Sequence, residues 1–264
     1  MHLFSIAVAL LAFVGSAVAQ DASSDALKDL APTGKLRAAI NLGNGVLAQK
    51  DPASSEPKGI TPDLARELAK RLGVRLEMVV FESAGKVFDG AKTGAWDVAF
   101  IAIEPVRAAE IEFTAPYVII EGTYMVPMNS PLKTVTDVDR PGVRIAVGRG
   151  AAYDLYLTRT LKDATLVRAE GGGGSALIEA FVTEKLEAAA GVRQALEAYA
   201  KTHPEVMVMQ DKFMEIRQAM GAPKGRTAGA KYLSAFVEDM KTSGFVADAL
   251  KRSNQSATVA PPAK

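Results

Sequence analysis

The sequence predicts an α/β protein built from two units of the same kind, and three observations carry that prediction. Strand and helix signals alternate in the order β-α-β-α-β, the pattern of a parallel sheet. The same alternation restarts after Asn129-Ser130-Pro131. Trp96 to Ile103 is an almost unbroken apolar run, as expected of a strand covered on both faces, and it stops at Glu104-Pro105.

In the first unit, Leu36 to Ile40 reads as a strand and Asn41-Leu42-Gly43-Asn44-Gly45 as the loop leaving its carboxyl end. A helix follows, with Thr61 as N-cap, Pro62 at the first helical position, Leu64, Leu68 and Leu72 on one face and Gly73 as the stop. Arg75 to Val80 is the next strand, Lys86 to Lys92 a short helix, and Gly94 leads into the Trp96 strand. In the second unit, Val143 to Val147 is a strand, Gly148-Arg149-Gly150 a tight turn, and Ala151 to Lys162 a helix. Thr165 to Arg168, the glycines 171 to 174, a helix capped by Ser175 and the strand Leu186 to Val192 complete it. Phe213 to Met220 and the helices Ala228 to Lys241 and Val246 to Arg252 add no third core of comparable size.

Proline cannot continue a central strand, so Val106 and Arg107 are placed just beyond the carboxyl end of the sheet, where open α/β folds bind ligands. An arginine there has a planar fork matched to a carboxylate. The alternative from spacing alone is a salt bridge to Glu104 or Glu110 on a solvated turn.

Composition narrows the function classes. The chain has 264 residues, 48% of them hydrophobic, and its net charge of +1 comes from 31 basic and 30 acidic residues. The charges are interspersed, without the basic stripe that nucleic acid requires. There is no cysteine, and the two histidines, His2 and His203, cannot supply a metal cluster. No cofactor is expected. Leu3 to Ala19 is an apolar segment ending in Ala17-Val18-Ala19, read as a cleaved export signal over residues 1–19, although no lysine or arginine precedes Lys28. A retained membrane anchor is the alternative. Residues 253–264, rich in Ser, Ala and Pro, are expected to be disordered.

Two glycine segments invite a phosphate-loop reading. Gly148-Arg149-Gly150 lacks the Lys-Ser/Thr pair of a nucleotide loop, and the run from 171 to 174 reads as a flexible connection.

Taken together, Gly59-Ile60-Thr61-Pro62-Asp63-Leu64, Gly94-Ala95-Trp96-Asp97, Glu104-Pro105-Val106-Arg107, Phe113-Thr114-Ala115-Pro116-Tyr117 and Val147-Gly148-Arg149-Gly150-Ala151 make the sequence resemble the periplasmic solute-binding proteins of polar amino-acid ABC importers, the bacterial extracellular solute-binding family 3. The likeness covers roughly residues 34 to 252. It implies a two-lobed clamp of the type II periplasmic binding fold, with lobe 1 from 30 to 124 plus 217 to 252, lobe 2 from 125 to 216, and two crossover strands flanking a ligand cleft. By resemblance, Arg107 matches the arginine that pairs with the ligand's carboxylate, and Ala102 and Ala151 match positions whose backbone amides assist it. Asn41 and Asn44 match cleft positions on the first loop, and Phe100 is a further ligand-binding candidate.

The departures matter as much. Asn44 and Ala84 stand where aromatic rings would sandwich an amino acid, and Val192, with Arg193 beside it, replaces the acid that would hold the ammonium group. The expected ligand is therefore a carboxylate or other anion, with Arg149 or Arg193 facing a second acidic group or lying on the surface. The expected role is the periplasmic binding component of an importer, a monomer partnered by a membrane permease and not an enzyme. The alternatives are a ligand-sensing module for a signalling partner and a dehydratase-like enzyme, the latter disfavoured by Ala195 at the place of a catalytic acid.

Overall fold

The structure, a computed structural model, describes residues 22–171 and 173–263; the expected export signal lies outside the described residues. Helix α1 (Ser24–Leu30) precedes strand β1 (Lys35–Asn41), and a small hairpin of β2 (Gln49–Lys50) and β3 (Pro57–Lys58) leads to α2 (Ile60–Leu72). Then come β4 (Arg75–Phe81), α3 (Ala84–Lys92), β5 (Val98–Ala102) and the one-turn helix α4 (Pro105–Ala108). The long β6 (Ile111–Pro127) carries the chain into a second set: β7 (Arg144–Gly148), α5 (Ala152–Thr160), β8 (Thr165–Ala169), α6 (Gly173–Thr183), β9 (Ala188–Val192), α7 (Arg193–Ala200) and β10 (Val206–Val208). Strand β11 (Met214–Pro223) returns, and α8 (Thr227–Thr242), α9 (Phe245–Arg252) and β12 (Thr258–Val259) complete the described chain.

The strands form one sheet in the order β4-β1-β5-β11-β6-β9-β7-β8, with β10 and β12 added to β6. Both ends of this order are parallel: β1 pairs with β4 and β5, and β7 pairs with β8 and β9. Between them β6 and β11 run antiparallel to each other, and β6 passes from β11 to β9 at Gly122–Met125. The two expected β-α-β-α-β units are thus the two ends of one sheet, and the antiparallel pair is the link between them.

The apolar patterns account for the layers. Helix α2 buries Leu64, Leu68 and Leu72, each worth roughly 1.5–3 kcal/mol when removed from water. Its N-cap is Gly59 and not Thr61; the Thr61 amide and hydroxyl instead donate to the carbonyl of Leu47, at 3.1 and 3.4 Å. Trp96 precedes β5 and is fully buried with Val87, Ala99, Ile101 and Ile111, its indole N–H donating to the Val87 carbonyl at 2.8 Å.

Asp97 fastens this half together. Its Oδ2 accepts from the Arg37 amide (3.1 Å) and Nε (2.9 Å), and its Oδ1 from Arg37 Nη2 (2.8 Å) and Arg226 Nη1 (2.9 Å). Arg226 also donates to the Asp29 carbonyl at 2.7 Å, so one carboxylate joins β1, the start of β5, the end of α1 and the start of α8. The other half repeats the device with Glu187, which accepts from the Arg144 amide (2.8 Å) and Nε (2.9 Å).

The tail departs from the expectation of disorder. Thr258 and Val259 pair with Ile119 and Val118 of β6, Ala260 is buried, and Lys241 Nζ donates to the Pro261 carbonyl at 2.9 Å. Composition misses this because β6 offers an open edge there that needs only backbone groups and a small side chain.

Removing the carboxylate in Asp97→Ala should lower the unfolding free energy by about 3 kcal/mol at neutral pH, read by urea denaturation, since both arginines keep some solvent. Burial alone would raise the Asp97 pKa, but the hydrogen bonds from Arg37 and Arg226 outweigh it and hold it below the usual carboxylate value. Its stabilisation is therefore full above the unfolded pKa and fades as pH falls through the lower folded one, so the gap between variant and wild type should close in acid.

Candidate functional site

A cavity of about 320 Å³ lies between the two halves of the sheet, at the carboxyl ends of β1, β5, β7 and β9. Asn41 and Ala102 come from one side, and Gly148 and Val192 from the other. The loops after β4 and β8 add Ser83 and Gly171, so each parallel strand contributes its carboxyl end or the loop beyond it.

Arg107 forms the charged wall. The residue is fully buried on α4, where Pro105 supplies a preset first turn. Its Nη1 donates to the Ala102 carbonyl and its Nη2 to the Gly150 carbonyl, both at 2.8 Å, and its Nε has no partner among the described residues. Burial pushes the guanidinium down to about 10, which leaves it charged at neutral pH. No described carboxylate lies within ion-pair distance; Glu104, the neighbour that spacing offers, accepts instead from Arg159 Nη1 at 2.6 Å. Arg107 is therefore not a surface residue of a solvated turn.

Of the other residues singled out by sequence, Asn41, Asn44, Ala84, Ala102, Arg149, Ala151 and Val192 line the same cavity. The side-chain oxygens of Asn41 and Asn44 accept from the amides of Gly43 (3.0 Å) and Val46 (3.3 Å), which holds the loop in tight turns. Arg149 sits at the rim, more than half exposed, with Nε on Glu170 at 2.6 Å. The Ala151 amide is committed to the Gly148 carbonyl at 3.0 Å. Intrahelical bonding in α5 begins with the Leu155 amide on the Ala151 carbonyl, so the amides of Ala152 to Asp154 have no partner within the helix.

Two expectations are corrected. Phe100 is on β5 but two residues behind Ala102, roughly 7 Å deeper in the sheet, and is buried edge-on against Tyr117 rather than lining the cavity. Arg193 also stays out: its Nε donates to Glu121 (2.7 Å), its Nη1 to the Met209 carbonyl (3.0 Å) and its Nη2 to the Gln210 carbonyl (2.8 Å). As the first residue of α7 it points a helical step of about 100° away from Gln194, which does line the cavity.

Sequence reasoning missed Gln194, Gln218 and Tyr153, all cavity-lining. Gln218 carried a usable signal, a polar residue within the buried stretch Gln218–Ala222 of β11.

The two halves meet around the cavity mainly through backbone. Gly43 lies against Gly173, where a Cβ on Gly173 would fall 2.3 Å from the Gly43 carbonyl oxygen. Gly85 lies against Gly150, where a Cβ on Gly150 would fall 2.9 Å from Gly85 Cα. The Arg107–Gly150 and Arg159–Glu104 hydrogen bonds cross the same seam.

A profile of the bacterial extracellular solute-binding proteins, family 3, matches residues 47–254. The chain belongs to that family. Among solved structures, this family 3 protein is similar to the P235GK mutant of ArgBP from T. maritima, with a TM-score of 0.73, 20% identity, and 87% of this chain and 99% of that one covered. It is similar to the solute receptor for L-cysteine of Neisseria gonorrhoeae, with a TM-score of 0.74, 20% identity and coverage of 88% and 93%. It is also similar to the ancestral amino acid-binding protein AncCDT-1, a precursor of cyclohexadienyl dehydratase, with a TM-score of 0.72, 23% identity and coverage of 86% and 98%. At these identities the likeness establishes the two-lobed fold and leaves the ligand to the site itself. The search of curated proteins gives no match. Among the described residues no helix is long and apolar enough to cross a membrane, and no cluster of histidine, aspartate or glutamate could hold a metal ion.

Gly173→Ala should keep the two halves from meeting, because its Cβ would collide with the Gly43 carbonyl. Gly173 also has a left-handed backbone, with φ 65°, so the variant should lose about 1 kcal/mol of stability as well. Small-angle scattering should give the variant a larger radius of gyration than wild type, with a modestly lower melting temperature; equal radii would remove the backbone seam as the limit to closure.

Proposed function

We propose that this family 3 protein is the periplasmic ligand-capturing component of an ABC importer, working as a monomer that takes a small organic carboxylate into the cleft and presents the closed form to a membrane permease. The single observation that supports the ligand class is Arg107: a charged guanidinium fully buried at the cavity wall, with carbonyls but, among the described residues, no carboxylate in contact. Burying a charge without a counter-charge costs several kcal/mol, and a ligand carboxylate would offset that with charge-assisted hydrogen bonds. The cost is felt only as the lobes come together, so an anion favours the closed form over the open one, which is what couples binding to closure.

The remaining lining argues against an ordinary amino acid. Among the described residues no aspartate or glutamate lines the cavity, and Val192 presents an aliphatic side chain. An α-ammonium group would enter with no anionic partner. The same lack of carboxylate or imidazole, with Ala195 offering only a methyl group, supports capture over dehydration, which needs a general acid in the cleft.

Arg107→Ala should weaken binding of a stabilising carboxylate by about 2–5 kcal/mol with the melting temperature of the ligand-free protein little changed. Calorimetry on ligands found in a thermal-shift screen of amino acids, monocarboxylates and dicarboxylates would measure it, and unchanged affinity would overturn the carboxylate role. Val192→Asp should restore a partner for an ammonium group, so amino acids that leave the wild type unshifted should raise the melting temperature of the variant.

A further inference from the structure

We infer that Gln194 selects the ligand by hydrogen-bonding a hydroxyl group, so that the solute held at Arg107 is a hydroxylated carboxylic acid. The inference rests on the carboxylate reading above and adds the second point of recognition.

Gln194 is the second residue of α7 and lines the cavity, and its Oε1 is buried without a hydrogen-bond partner among the described residues. A buried acceptor left unpaired is unfavourable, and buried polar groups are almost always satisfied by something. None of the polar side chains that line the cavity with it, Asn41, Asn44 and Gln218 among them, donates to this oxygen, so it is left for what enters the cavity.

The chemistry of the site selects that partner. An amide carries both an acceptor and donors, and a neutral hydroxyl complements either one. An ammonium group would bring a full charge and three donors to a single amide oxygen, in a cavity whose charged residues are two arginines. A second carboxylate would set lone pairs against Oε1. A hydrocarbon would leave Oε1 unpaired. The ligand class that fits is thus a compact acid, with its carboxylate at Arg107, its hydroxyl at Gln194, and an apolar body against Leu177 and Val192.

The test is calorimetric titration of the full chain with three matched pairs: lactate and propionate, 3-hydroxybutyrate and butyrate, mandelate and phenylacetate. At least one hydroxylated member should bind wild type about tenfold or more tightly than its deoxy partner, as expected for one added hydrogen bond in a buried site. In Gln194→Met, which keeps the side-chain length, that ratio should collapse to near one, with the hydroxylated acid weakened and the deoxy acid bound as well as or better than by wild type; Gln194→Ala checks the result without the added bulk of sulfur. Arg107→Ala should weaken both members of the pair alike. If hydroxylated and deoxy acids bind wild type equally and both need Arg107, the role of Gln194 is overturned and the carboxylate reading stands. If the preference survives in both Gln194 variants, Gln194 is not its source. If none of the six acids binds, the compact hydroxy-acid class is overturned, and the wider screen described above decides the carboxylate reading separately.

Discussion

Everything about the cleft follows from the burial of one positive charge. Arg107 sits where water does not reach, on a helix of a single turn, and its hydrogen bonds run to one carbonyl from its own half and one from the other. The guanidinium thereby ties the two halves together beside the cavity. Desolvating a charge is among the largest local free-energy terms available to a protein, so whatever stands beside this guanidinium weighs heavily on the site.

The rest of the architecture serves to hold that arginine and its counterparts in register. Asp97 and Glu187 lock the first and third strands of each parallel set, each gripping the arginine of a neighbouring strand through backbone and side chain at once. Each half is therefore rigid in itself, and the antiparallel β6 and β11 are the strands that pass between them. Stiff halves on a two-stranded link favour a hinge over internal deformation.

Much of this was legible in the sequence because it depends on local rules. An apolar run stopped by Pro105 is enough to put Arg107 at the end of a buried strand, and alternating helix and strand signals are enough for two parallel sets. What was not legible depends on contacts between distant residues. Gly43 and Gly173 are 130 positions apart, and nothing in either loop announces the other. Arg193 looked like a cleft residue because it follows Val192, yet the first step of α7 turns it toward Glu121 and brings Gln194 inward instead. The tail likewise reads as polar and structureless until the open edge of β6 is known. Helical phase at a strand-to-helix junction and the identity of an unpaired edge are both set by tertiary packing, which a single chain's periodicity does not encode.

The glycine seam carries a consequence for how such a protein can change over generations. Gly43, Gly85, Gly150 and Gly173 meet through backbone atoms, so the fit of the halves depends little on the side chains that point into the cavity, apart from Arg107 with its bond to the Gly150 carbonyl. Mutations at Val192, Gln194 or Ala84 can alter what is recognised while the jaws still meet. Mutations at the four glycines would do the reverse, stopping the jaws for every cargo alike. On the proposed function, selectivity and closure thereby rest largely on separate sets of positions, so a change of ligand need not cost the fit of the halves.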